Sequence, residues 1–220
     1  MDLIAEAEAY VRDFLRGNAD GHDADHTLRV YRTAVRLAEA EGADPETAAL
    51  AALLHDVDDR KLSPETAQTK ENAVAFLRGH GVPEAEIREI VSIIGAVSFR
   101  GTDSVVPETA AGKCVQDADR LDAIGAVGIA RAFAYGGSHG RRLYDPAAPH
   151  RSDLTDAEYR ASASDTVSHF YEKLLLLKDR MNTETGRRLA ARRHAFVEEF
   201  LEEFYGELGE DAQAGSDWGV

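Results

Sequence analysis

The stretch AALAALLHDVDDRK, residues 48–61, runs an unbroken series of small and branched apolar side chains straight into a histidine, an aspartate and a cluster of charge. A run such as Ala51-Ala52-Leu53-Leu54 belongs in a core. His55 and Asp56, which follow it, are both good metal ligands, and both cost free energy when buried without partners. An apolar helix that delivers such a pair places it at the floor of a pocket, provided the rest of the chain supplies the remaining groups.

Outward from this stretch, nearly every segment repeats apolar residues at three- and four-residue spacing, the pattern of amphipathic helix. Leu3, Ile4, Ala7, Val11, Phe14 and Leu15 mark a first helix, stopped by Gly17, and residues 18–25 read as a polar loop. Val30, Ala34, Leu37 and Ala38 mark a second over 26–41. Asp44-Pro45 opens the third: Asp caps free amides and Pro takes the first helical position. Beyond Ser63-Pro64, the residues Ala73, Val74, Phe76 and Leu77 mark another, closed by Gly79 and Gly81, and Pro83 starts the next through Ile87, Ile90, Val91 and Ile94.

Residues 99–106 read as a loop, and Pro107 begins a helix through Cys114, Val115, Ala118 and Leu121. Whether it continues past Gly125 and Gly128 to Tyr135 is left open. Residues 136–153 form a long irregular loop, a kind often functional. Thr155-Asp156-Ala157-Glu158 fits a capping box, and the helix after it carries Val167, Phe170, Tyr171, Leu174 and Leu177. A last helix over 184–205 turns Leu189, Phe196, Val197, Phe200, Leu201 and Phe204 inward. No period-two strand pattern, repeat or linker interrupts. The expectation is all-α: one compact helical bundle over 1–205, then an acidic flexible tail over 206–220.

Composition narrows the function. The 220 residues suffice for one full core, and 44% hydrophobic with 30% charged content is that of an ordinary soluble protein. A single cysteine excludes an internal disulfide and suits a reducing cytosol. With no apolar run near membrane-spanning length and an acidic, amphipathic N-terminus, the reading is cytoplasmic, without a membrane partner. The formal charge of −15, from 25 basic and 40 acidic residues, repels nucleic acid. It still permits a small phosphorylated substrate, since a metal and a few cations reverse the potential locally.

His26 opens the second helix, His55 and Asp56 close the third, and Asp119 lies within a later helix on the face of Val115. A carboxylate on an apolar face needs a cationic partner. Taken singly, each of the four fits a cap or a hydrogen-bonded core role. Two imidazoles and two carboxylates converging from three helices would form an N2O2 set suited to manganese, iron, cobalt or nickel.

The ordered set resembles the HD-domain superfamily of metal-dependent phosphohydrolases, whose signature is a His, then a His-Asp pair, then a distant Asp. It appears as HTLRV from His26, LLHDVDD around His55 and Asp56, and QDADRLDA around Asp119. GIARAFAYGG, HFYEKLLLLKDRMNTETG and RRHAFVEEFLEEFY are similar to a small bacterial branch of nucleotide pyrophosphohydrolases, and the likeness spans residues 3–205. The resemblance implies an HD-domain bundle in which His26, His55, Asp56 and Asp119 hold one divalent ion. Manganese is first choice, with cobalt, nickel, iron and magnesium as alternatives. Asp59, three residues after Asp56, would orient or deprotonate the attacking water, with Asp58 its competitor for that role. Lys61 is first choice for a phosphate-binding cation.

Around this set, His22 and Asp23 read as turn or phosphate contacts, Asp122 as a supporting carboxylate, and Arg120 as salt-bridged away from the pocket. Lys70, Arg100, Lys113, Tyr135, Tyr144, His169 and Lys173 are further candidates for nucleotide contacts. Phe170 and Tyr171 read as packing rather than a base platform, and Cys114 as a core residue without a nucleophilic role. The implied reaction is hydrolysis of a nucleoside or deoxynucleoside triphosphate to monophosphate and pyrophosphate. Monophosphate phosphatases, alarmone hydrolases and phosphodiesterases share the same ligands, as does a silent nucleotide-binding module. The expected partner is a small nucleotide-class substrate; composition does not fix an oligomeric state.

Overall fold

A computed structural model describes residues 2–17, 23–149, 151–162 and 164–209. Among them are ten α-helices: α1 (Leu3–Phe14), α2 (Ala24–Glu41), α3 (Pro45–Leu54), α4 (Glu71–Gly79), α5 (Glu84–Val97), α6 (Ala110–Asp122), α7 (Gly125–Ser138), α8 (Asp156–Ala161), α9 (Thr166–Glu172) and α10 (Glu184–Glu207). Two short 3-10 turns, Leu174–Leu176 and Lys178–Arg180, join α9 to α10. The described residues hold no strand beyond a single bridge between Gly101 and Thr155. The fold is all-α, as the periodicity requires.

The axis of the bundle is α3. Asp44 caps it by accepting from the Glu46 and Thr47 amides at 3.3 and 3.1 Å, and Pro45 takes the first turn. Every residue from Ala48 to Leu54 is buried. A helix apolar on all sides has to be surrounded, and α1, α2, α5 and α6 do so. Its four alanines let neighbouring backbones come close, so α2 and α6 pack on α3 and on each other. The ends that carry His26, His55-Asp56 and Asp119 are thereby gathered on one side.

Several boundaries differ from the sequence reading. Pro107 does not open α6; Thr109 does, its hydroxyl accepting from the Gly112 amide at 3.1 Å. The chain breaks after Asp122 instead of continuing. Ile124 is extended and Gly125 has φ +78°, which breaks the continuous right-handed turn, so α7 starts afresh at this glycine. A Cβ at Gly128 would strike the Ala123 carbonyl, so the turn back depends on glycine there.

The single helix expected after the capping box is two. Thr155 and Glu158 do form that box at the start of α8. The Ser162 and Ser164 hydroxyls then bond the Glu172 carboxylate, and Asp165 caps α9 through the Ser168 amide. Side-chain bonds that compete with the helix ladder end α8. On α10, Val197 and Leu201 are buried, but Leu189 and Phe196 are exposed rather than inward. The helix runs on through Glu207, past the expected start of the tail, and residues 210–220 lie outside the described residues.

Candidate metal and phosphate site

His26 sits in the first turn of α2, where Asp23 accepts from its amide at 2.6 Å. That makes Asp23 a helix cap; His22 lies outside the described residues. The imidazole is buried, and its Nδ1 lies 2.7 Å from Asp122 Oδ2. Asp122 also accepts from Arg29 Nε at 2.8 Å and from an Arg131 guanidinium nitrogen at 2.8 Å. With Nδ1 held by a carboxylate, Nε2 is the nitrogen left to face the site. It lies 3.6 Å from Asp56 Oδ2 and 3.4 Å from Asp119 Oδ1.

His55 follows the last residue of α3, and its Nδ1 lies 2.7 Å from the Ala52 carbonyl, one turn back. Its Nε2 is buried, makes no hydrogen bond among the described residues, and lies 3.2 Å from Asp56 Oδ1 and 3.9 Å from Asp119 Oδ1. The two rings meet edge to face with centres 5.4 Å apart. One ligand atom each from His26, His55 and Asp56 lies within 4.8 Å of the others, a set able to hold a metal ion. The structure brings Asp119 against the same two Nε2 atoms from α6.

The electrostatics are those of a site with surplus negative charge. Burial pushes the proton affinity of His26 down, but the carboxylates of Asp119, Asp122 and Asp56 outweigh it and hold the imidazole up at about 9. Burial acts to raise the Asp119 carboxyl; its contact with His26 and the charges of His26, His55 and Lys173 bring it below the usual range. Asp122 is held far lower, burial being outweighed by His26, Arg29 and Arg131. An enclosed, unpartnered imidazole nitrogen beside aspartates is what a divalent cation would satisfy, so the residues fit such an ion.

The flanking candidates separate. Asp58 is fully buried and accepts from the Asn72 and Ala73 amides at 3.1 and 2.9 Å, capping α4 from outside the helix. Asp59 is half-buried; its Oδ1 accepts from the Lys61 amide at 2.8 Å. Lys61 is exposed, with Nζ 5.0 Å from the centre of the Tyr135 ring, and Arg141 lies 5.4 Å from the same ring. His169, half-buried on α9, has its proton affinity driven down to about 3, first by burial and then by the charges of Lys173, Arg141 and Lys61. The three cations thus gather around His169, and Lys173 also acts on Asp119.

Other candidates are engaged within the fold. Lys70 donates to the Asp58 carbonyl, Tyr144 packs on Phe204 and Tyr205, and the Tyr171 hydroxyl pairs with that of Tyr205. Phe170 and Cys114 are core residues. Arg120 was expected to salt-bridge, but no carboxylate among the described residues pairs with it; its guanidinium is buried and bonds the Arg180 carbonyl. Arg29, Arg131 and Arg141 were not singled out from the sequence. Only Arg29 left a signal, lying one turn after His26 on the same helix.

The HD domain family model matches residues 23–124, the segment that carries all four residues. The YpgQ protein of Bacillus subtilis is 38% identical over 220 residues, spanning 97% of this chain and 99% of its own. A Lactobacillus plantarum structure superimposes with a TM-score of 0.83 at 39% identity, covering 94% of this chain and 97% of that one. An HD-superfamily hydrolase from Bacillus thuringiensis gives 0.73, also at 39% identity, with 94% and 96% coverage. YpgQ in complex with ADP gives 0.71 at 33% identity, with 93% and 97% coverage. The chain belongs to the HD-domain superfamily of hydrolases, among its small YpgQ-like bacterial members.

Among the described residues no helix is long and apolar enough to cross a membrane.

Proposed function

We propose that the protein is a metal-dependent nucleotide pyrophosphohydrolase, converting a nucleoside or deoxynucleoside triphosphate to monophosphate and pyrophosphate in the cytoplasm. One observation carries the reading: the imidazole nitrogens of His26 and His55 converge with Asp56 and Asp119, and Lys173, one of three cations gathered around His169 with Lys61 and Arg141, also acts on Asp119. The ADP complex of YpgQ supports a nucleotide ligand by likeness.

His26, His55, Asp56 and Asp119 would hold the ion, manganese being the first choice. When bound, such a cation lowers the pKa of a coordinated water and neutralises phosphate charge. The chain does the rest. Asp122 and the Ala52 carbonyl each hold an Nδ1–H, which keeps both Nε2 lone pairs aimed into the site. Asp59, one carboxylate oxygen fixed by the Lys61 amide, takes the proton of the attacking water on the other. Lys61, Arg141 and Lys173 hold the phosphate oxygens. Attack at the α-phosphorus breaks its bond to the bridging oxygen, whose electron pair leaves with pyrophosphate.

The test is product analysis. Chelator-stripped protein should not hydrolyse a panel of triphosphates, and manganese should restore release of pyrophosphate. Inorganic phosphate as the product would exclude this reaction. Full hydrolysis by both His55→Ala and Asp119→Ala would sink the metal-site reading itself.

A further inference from the structure

On a different face of α6 from Asp119, a second cation is turned into the protein. Arg120 is 3% exposed, and no carboxylate among the described residues pairs with it. One of its terminal nitrogens donates to the Arg180 carbonyl, while its Nε is enclosed without a hydrogen bond. Burial, with the like charge of Arg180, outweighs the opposing pulls of Asp117 and Asp119 and leaves the guanidinium less basic than usual. Arg180 also lacks a carboxylate partner among the described residues. It donates to the Gly101 carbonyl at 2.6 Å and lies 5.2 Å from the centre of the Phe99 ring. A buried guanidinium left with backbone acceptors alone is a costly arrangement that an oxyanion would relieve.

Arg120 and Arg180, with Thr102, Ser104 and Val106, line a cavity of about 360 Å³. Among the described residues the lining holds no acidic side chain, in a chain whose formal charge is −15. Asp103, between Thr102 and Ser104, turns its carboxylate to the Asp156 amide instead. Thr102 is exposed at the mouth. We propose that this cavity is a second oxyanion site that takes a phosphate-class group, either inorganic pyrophosphate or the distal phosphates of a nucleotide. Guanidinium forks present paired N–H donors matched to phosphate oxygens, and the two hydroxyls add to them. None of His26, His55, Asp56 and Asp119 lines the cavity, so the proposal stands apart from the metal reading. The Phe99 ring carries Arg180 and also Lys173, whose Nζ is 5.4 Å from its centre, so the cavity and the cation that acts on Asp119 meet at one side chain.

The experiment is calorimetric titration of chelator-stripped, full-length protein with inorganic pyrophosphate, beside Arg180→Ala and Thr102→Glu. Wild type should bind saturably and each variant about tenfold more weakly, a loss of about 1.4 kcal/mol. A thermal melt confirms folding; because Thr102 is exposed, Thr102→Glu keeps the test open if Arg180→Ala does not fold. No saturable binding by wild type overturns the proposal. So does binding that Thr102→Glu leaves intact, since the anion then sits elsewhere. Two further readouts on the metal-loaded protein separate the sources. A KM for triphosphate that rises in step with the lost pyrophosphate affinity assigns the cavity to the substrate's own distal phosphates. Lost pyrophosphate affinity with KM unmoved assigns it to a free anion.

Discussion

His26 and Asp122 lie 96 residues apart in sequence and 2.7 Å apart in space, Nδ1 against Oδ2, both buried. Asp122 serves two cations at once besides: Arg29 reaches it from α2 and Arg131 from α7. One carboxylate therefore fixes the tautomer and orientation of His26 and ties together the three helices that surround it.

Replacing Asp122 with Asn should loosen that hold without removing a ligand. Carboxylates behind metal-bound histidines contribute roughly ten- to a hundred-fold to metal affinity, and a loss of that size is expected here. Manganese titration by calorimetry reads it directly. Asp122→Glu should recover part of the loss, whereas a merely structural role would lower the melting temperature and leave metal affinity intact.

Asp58→Ala tests the assignment of neighbouring carboxylates. Asp58 caps α4 from a fully buried position, so its loss strands the Asn72 and Ala73 amides. Buried donors left unpaired cost about 1–3 kcal/mol, to be measured as a shift of the urea midpoint. Activity per folded molecule should fall far less than in Asp59→Ala. The opposite ranking would make Asp58 the working acid.

What the sequence could disclose follows from the range of each interaction. The apolar run at Ala48–Leu54 announces a surrounded helix because every one of its residues must be buried, whatever the partners. The four candidate ligands could be singled out because their motifs are local and ordered. Asp58 and Asp59 were not separable, since what distinguishes them is contact with amides fourteen and fifteen residues away. The break between α8 and α9 was hidden for the same reason: it depends on Ser162 and Ser164 finding Glu172. Arg131 and Arg141 reach the site only through tertiary placement, and neither lies in a motif.

Cys114 should be inert. It is fully buried, and burial, with Asp117 and Glu41 as like charges, pushes its thiol up to about 11. Because the thiolate is the reactive form, native protein near neutral pH should take up almost no alkylating agent. Protein unfolded in guanidinium should take up one equivalent, as the chain has a single cysteine. Fast stoichiometric labelling of the native state would contradict the packing of α6.

His169 should make the fold acid-sensitive. Half-buried beside Lys173, Arg141 and Lys61, and 3.5 Å from the Tyr159 hydroxyl, it stays neutral in the folded protein down to about 3. In the unfolded chain it takes up a proton near its ordinary 6.5. The unfolded state therefore binds more protons below that value, so stability rises with pH in this window. The penalty is absent above pH 6.5, grows as the pH falls, and levels off only near 3. His169→Gln cannot titrate, so its melting temperature should drop less than that of wild type between about pH 7.5 and about pH 5. Equal drops in the two proteins would mean that His169 takes up its proton without opposing the fold, and that the three cations do not crowd it.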